Sequence, residues 1–384
     1  MKDYVIFGAG MFGQNALNEY GADNVLCFAD NNEKKQGSLI FGKEVLSLSD
    51  AWKRYPEACF LLASQYIESM ERDVKELGII DYIIYRDRNR RFFETDELIL
   101  NPYEHNPEMV SEDDWNNSDK QGYARKGVFD EVERLYRDTK LFDHIEIETI
   151  NRCNGACDFC PVNHRIDPRE KKVMTQELFY SIISQLEEMD YIGRFTTFSN
   201  NEPLLDDRIV EWNRYARKHL PHARMHLYTN GTIMTIPIFE VLVEVLDELI
   251  IDNYQKDLKL IKPCREIVEY VEKYPQLKKK VTIVLRNPHE ILTSRGGDAP
   301  NRKDIKDYED DRCLLPFKQM IVRPDGKVSL CCNDALGKYT LGDVNEERLV
   351  DIWYGKKFET VREALYKGRK HFGNCRNCDT FIMG

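Results

Sequence analysis

Eleven cysteines stand in this 384-residue sequence, and seven of them fall into two patterned groups. Cys153, Cys157 and Cys160 are spaced C-x3-C-x2-C. Cys313, Cys331, Cys375 and Cys378 make the second set, the last two as C-x2-C. In a reducing compartment such spacing points to metal ligation rather than disulfides. A cubane iron–sulfur cluster takes four cysteine thiolates. Three close cysteines leave one iron open, and an open position is what separates a catalytic metal site from a structural one. Four cysteines close a site, which suits electron transfer or a structural role. A zinc site or unrelated thiols are the alternatives for the first group, and a zinc ribbon for the second.

A third constellation lies near the N-terminus. Gly8-x-Gly10-x-x-Gly13 follows the apolar run Tyr4–Phe7, and Asp30 closes the next run, Val25–Phe28. A strand, a glycine-rich turn, a helix and a later acid are what a dinucleotide site requires: phosphate at the helix N-terminus and the carboxylate on a ribose hydroxyl. Glycines serve tight turns and helix packing equally well. A nucleotide or nucleotide-sugar site and a purely structural module both fit.

These residues need elements to hold them. Residues 1–85 alternate strand-like runs with helical stretches, the pattern of a small Rossmann-like parallel α/β sheet. Residues 86–140 are charged, then polar with scattered prolines, and read as a linker with a helix near 127–137. From 141 to 300 strand-like runs recur near 145–149, 195–198, 225–229, 248–252 and 281–285, with helices between them. Repeated βα units predict part of a (β/α)6 TIM-type barrel. From 301 to 384 the pattern is a β-hairpin turning at Asp325-Gly326, then helices near 347–354 and 357–366. The fold class is therefore α/β throughout. A net charge of −11 argues against nucleic acid or an anionic membrane as partner. No run approaches the roughly 18 apolar residues of a membrane span. The N-terminus lacks a signal-peptide pattern, so a cytoplasmic protein is expected.

The first cysteine group resembles the radical S-adenosylmethionine (SAM) superfamily, and further motifs follow in its order. Asn200-Asn201-Glu202-Pro203 is similar to the segment in which backbone and an acid hold the SAM amino group, although asparagines stand where the family has glycines. Thr229-Asn230 is similar to the end of the third strand, and Asn253 stands where a polar residue usually meets the ribose. Phe159 matches the aromatic position whose backbone meets the adenine. The resemblance implies that the open iron binds SAM and that a 5′-deoxyadenosyl radical abstracts hydrogen from substrate. The protein's part is then to bind and orient.

The second group resembles the SPASM/Twitch auxiliary-cluster domain. Its glycine spacing, through Gly326, selects Cys331 over the adjacent Cys332. Together the two groups imply two [4Fe–4S] clusters. Ser294-Arg295-Gly296-Gly297 is similar to a segment of radical SAM dehydrogenases that oxidise an aminocyclitol alcohol to a ketone, with Arg295 at the substrate. Because arginine stays charged, orienting a hydroxyl is its expected role. The expectation is oxidation of a secondary alcohol on a sugar, aminocyclitol or nucleotide-sugar. The small-molecule substrate would be joined by an electron donor of flavodoxin or ferredoxin type. A peptide maturase, a sugar epimerase using Cys264 as hydrogen donor, and a nucleotide-binding regulatory protein are the alternatives.

Overall fold

Val5, Ile6 and Phe7 are apolar on both faces of one short run, so their strand must be covered on both sides. In the computed structural model this strand lies at the centre of a sheet. The structure describes residues 3–64, 67–85, 91–93, 97–104, 128–129, 131–302 and 308–380. The chain divides into two units, Met1–Arg90 and Arg91–Gly384.

The first unit contains strands β1 (Tyr4–Phe7), β2 (Val25–Ala29), β3 (Leu39–Ile40), β4 (Lys43–Leu46), β5 (Cys59–Leu62) and β6 (Tyr82–Ile84). Their order is β3-β4-β2-β1-β5-β6, parallel except for the β3–β4 pair. Val5, Phe7, Phe60 and Leu62 pack on one face, and Ile6, Phe28 and Leu61 on the other. The β3–β4 hairpin was not expected from the sequence; its strands are too short to show a period of two.

The second unit carries β7 (Ile99–Leu100), β8 (His144–Ile147), β9 (Arg194–Thr196), β10 (Arg224–Thr229), β11 (Glu248–Tyr254), β12 (Val281–Arg286), β13 (Gln319–Val322), β14 (Lys327–Ser329) and β15 (Gly342–Asp343). The sheet order is β15-β14-β13-β8-β9-β10-β11-β12-β7. From β13 to β7 every neighbouring pair is parallel. Helices Gln176–Glu188, Ile209–His219, Ile236–Val245 and Lys262–Lys273 follow β8 to β11 and bury apolar stripes against the sheet. Phe179 and Trp212 stack across two of them at 4.2 Å.

Two features differ from the sequence reading. The stretch read as linker contributes β7, which pairs with β12; two residues give no periodic signal, and only the long-range pairing makes them a strand. The first strand of the expected hairpin, β13, pairs antiparallel with β14 but also parallel with β8, so the C-terminal region extends the barrel sheet. Residues 131–137 are helical, and the rest of the helix expected near 127–137 lies partly outside the described residues. No helix among the described residues is long and apolar enough to cross a membrane.

Candidate active site

All parallel strands of the second unit present their carboxyl ends to one mouth, where barrel enzymes build their sites. The Cys153–Cys160 loop follows β8, Asn200–Pro203 follows β9, Thr229 ends β10 and Asp252 lies near the end of β11. Cys153 and Cys157 flank Gly155. A side-chain carbon at position 155 would stand 3.2 Å from Cys153 Sγ and 4.0 Å from Cys157 Sγ, so the missing side chain leaves the space between the thiols open. Burial pushes the Cys153 thiol up to about 12 and raises Cys157 as well, with the Cys160 thiol adding to the latter. Buried thiols of this kind ionise when iron replaces their protons. Among the described residues, no three or more His, Cys, Asp or Glu side chains converge tightly enough for a single metal ion. A cluster spreads its thiolates wider than one ion does.

Glu202 is 2 % exposed and braces three segments. Its carboxylate accepts hydrogen bonds from Leu204 N at 3.1 Å, Thr229 Oγ1 at 2.6 Å and Asn230 N at 2.7 Å, while its own N–H donates to Arg152 O at 2.8 Å. Pro203 opens the buried turn that follows. Asn230 reaches back with Nδ2 to Asn154 Oδ1 at 2.7 Å. Glu202, Thr229 and Asn230 therefore lock the cysteine loop to β9 and β10. Oε1 is taken twice and Oε2 once, so Oε2 keeps acceptor capacity beyond its bond from Asn230 N. Asn201 differs. Its Oδ1 accepts from Ser199 N at 3.0 Å, and its buried Nδ2 has no partner, a donor that an oxygen of a bound group would satisfy. Phe159 is 5 % exposed, with its ring 5.8 Å from that of Tyr254.

Asn253 overturns its expected role at a ribose. It is fully buried, its Nδ2 donates to Lys259 O at 3.0 Å and its Oδ1 accepts from Ile261 N at 2.9 Å. Strand alternation turns it toward its own loop and leaves the neighbouring Asp252 on the other face, 3.5 Å from Arg286.

The second thiol set assembles from three segments. Cys331 follows β14, Cys313 precedes the short helix Leu315–Lys318, and Cys375 and Cys378 lie at the C-terminal turn Gly373–Asn377. Burial raises the Cys331 thiol, and the neighbouring thiols of Cys332, Cys313, Cys375 and Cys378 add to it. Cys331, Cys375 and Cys378 line one cavity, together with Arg295, Asn333 and Tyr339. Arg369, 1 % exposed, holds the C-x2-C turn by donating to Cys378 O at 2.5 Å and to Arg312 O. Asp379 accepts from Ser294 N at 2.8 Å and Arg302 Nε at 2.7 Å, tying this turn to the loop that carries Arg295.

Arg295 has a positive φ of 50°, a conformation that costs a non-glycine residue energy and is found where function requires it. Its Nη1 donates to Asn200 Oδ1 at 3.3 Å and Cys332 O at 3.2 Å. It therefore spans from the β9 loop to the auxiliary hairpin. Asn333 Nδ2 is buried and unpartnered, whereas Asp334 caps the hairpin by accepting from Lys338 N and Tyr339 N. Cys264 is fully buried in the helical core, where it packs as an apolar side chain.

In the first unit, Gly8 has φ +112° and Gly13 packs on it: a Cβ at 13 would stand 1.9 Å from Gly8 O. Gly10 has open space around it. Asp30 accepts from Ala9 N at 2.8 Å within the glycine turn and from Lys35 Nζ at 3.0 Å. Sequence reasoning missed Glu146, a buried carboxyl on β8, because it looks like one polar position in an alternating strand.

An open parallel barrel carries three thiols at its mouth and a second thiol set beside it. Residues 147–263 match the radical SAM superfamily, and residues 313–379 match SPASM, an iron–sulfur cluster-binding domain. The barrel region is thus similar to radical SAM enzymes, and the C-terminal region to SPASM domains. It is similar to the S-adenosyl-L-methionine-dependent 2-deoxy-scyllo-inosamine dehydrogenase of Niallia circulans, at 28 % identity over 244 residues, covering 62 % of this chain and 94 % of that one. The crystal structure of BtrN in complex with AdoMet and 2-DOIA matches with a TM-score of 0.55 and 27 % identity, covering 63 % of this chain and 94 % of that chain. That of selenomethionyl BtrN in an open conformation matches with a TM-score of 0.47 and 24 % identity over the same shares.

Proposed function

We propose that the enzyme oxidises a secondary alcohol of an aminocyclitol, sugar or nucleotide-sugar to a ketone. The observation that carries this reading is Arg295, which bridges the β9 loop at the barrel mouth and the hairpin of the second thiol set. A dehydrogenase must remove a hydrogen atom and then an electron from one carbon, so its substrate needs both centres within reach. The similarity to an aminocyclitol dehydrogenase supports the same class of substrate.

Cys153, Cys157 and Cys160 would hold one [4Fe–4S] cluster, and Cys313, Cys331, Cys375 and Cys378 a second. When bound, SAM and the first cluster supply the carbon radical that abstracts hydrogen, and the second cluster accepts the remaining electron. Asn201 would donate to SAM through its free Nδ2, with the backbone around Phe159 lining the adenine. Glu202, Thr229 and Asn230 hold the loops in register. Arg295 remains charged and orients the hydroxyl. The Gly8–Gly13 turn, with Asp30, would take a nucleotide or nucleotide-sugar. A cytoplasmic location and a flavodoxin- or ferredoxin-type donor complete the proposal.

The test is anaerobic reconstitution with iron counting, followed by reduction and addition of SAM with 2-deoxy-scyllo-inosamine and related alcohols. About eight irons per chain, falling to about four in Cys375→Ala/Cys378→Ala, with ketone formed only by the former, is the expected result. Equal iron in both proteins would sink the second cluster and the dehydrogenation that depends on it.

A further inference from the structure

Removing a hydrogen atom from a carbinol carbon leaves the hydroxyl proton to be disposed of. Arg295, the side chain expected at the hydroxyl, cannot take it while it stays protonated. A carboxyl group lies close behind. Glu146 projects into the barrel from β8 and is 7 % exposed. Its Oε1 accepts from Gln319 Nε2 at 2.6 Å, and Gln319 Oε1 in turn accepts from Cys332 N at 3.2 Å. Cys332 O is the same atom that receives Arg295. Ser199, which precedes Asn200, also donates to the Glu146 carboxyl.

Behind Glu146, away from the mouth, lies His144, with Nε2 3.8 Å from Glu146 Oε1. Neither nitrogen of the buried His144 ring has a hydrogen-bond partner. The His226 ring, its centroid 5.2 Å from that of His144, has an unpartnered Nδ1. Buried polar atoms without partners destabilise the fold, so a cluster of them calls for a role. Burial keeps the His144 imidazole neutral, lowering it to about 3, so it can accept a hydrogen bond from the protonated carboxyl after a small rotation.

We propose that Glu146 is the proton acceptor for the substrate hydroxyl, with the neutral His144 positioned behind it as hydrogen-bond partner of the protonated carboxyl; this rests on the dehydrogenase reading above. The carbinol C–H hydrogen leaves as an atom to the radical that bound SAM supplies. The substrate O–H bond then breaks, its proton bonding to a Glu146 oxygen and its electron pair staying on the substrate oxygen. One electron passes to the auxiliary cluster, which is reduced, and the C=O bond is complete. The groups facing Glu146 are His144 and Glu148 on its own strand, Ser199 after β9, Arg295 from its loop, Gln319 on β13 and Cys332 after β14. Burial pushes the carboxyl up to about 7, near the pH at which a general base works best.

The test measures ketone formed per 5′-deoxyadenosine released by the reconstituted holoenzyme with 2-deoxy-scyllo-inosamine, from pH 6 to 9. Wild type should show a ratio that rises with pH as the carboxyl ionises. Glu146→Gln should lower the ratio at least tenfold and abolish the rise; Glu146→Asp should restore part of it, and His144→Phe should displace the rise. A wild-type ratio in Glu146→Gln, or a ketone loss matched by an equal loss of 5′-deoxyadenosine, would overturn the assignment while leaving the dehydrogenase intact. A wild-type enzyme that releases 5′-deoxyadenosine but forms no ketone would overturn the dehydrogenase reading, and this assignment with it.

Discussion

Gly155 and Glu146 illustrate what single residues decide. Gly155 leaves the gap between two thiols, and Gly155→Val would fill it. Iron should fall from about eight to about four per chain, with the second set still loaded. Cluster spectroscopy on the variant checks this, and full iron content would count against a cluster in that gap. Glu146 affects stability as well as chemistry. Its folded-state pKa lies above the ordinary carboxyl value, so between roughly pH 4.5 and 7 the native state holds a proton that the unfolded state has lost. Stability should therefore decline as pH rises through that window, by on the order of 3 kcal/mol, and stay level above it. Burial also pushes Glu148 and Glu202 up to about 7, so Glu146→Gln should remove only its own share of the slope in urea unfolding between pH 5 and 8.

At the scale of elements, the site depends on short connections between distant segments. Asp379 joins the C-terminal turn to Ser294 and, through a fully buried ion pair, to Arg302. Breaking such a pair costs about 3–5 kcal/mol because one charge is left buried and alone. Asp379→Ala should lower the melting temperature and the iron content of the second set together, whereas the first set keeps its iron. The glycine turn of the first unit makes a sharper contrast. Gly13→Ala forces a carbon into Gly8 O and should unfold that unit, as read by limited proteolysis. Gly10→Ala meets nothing within 4 Å and should leave it folded, which makes it the variant for testing nucleotide binding.

For the whole molecule, the two units have separate cores. A chain of residues 91–384 contains both thiol sets and every residue assigned to the barrel mouth. It should release 5′-deoxyadenosine at a rate within about threefold of the full chain, and any nucleotide affinity should disappear with residues 1–90. Loss of 5′-deoxyadenosine release from a folded, iron-loaded truncation would assign the first unit a part in catalysis.

The sequence by itself determined the chemistry of the donor sets, because cysteine spacing within a loop is local and survives any folding. It also determined most strands and helices, since runs such as Val281–Arg286 and Gln176–Glu188 carry strong apolar patterns. What only the tertiary structure decided depends on pairing and on which way a side chain turns. β7 exists because β12 lies beside it, and β13 joins the barrel because β8 does. Asn253 faces its own loop because strand alternation places Asp252 on the opposite face. Glu202 meets Thr229 and Asn230 at the end of β10, and Glu146 meets Gln319 across 173 residues of chain. Such contacts leave no trace in spacing, because burial and long-range hydrogen bonding arise only once the sheet has formed.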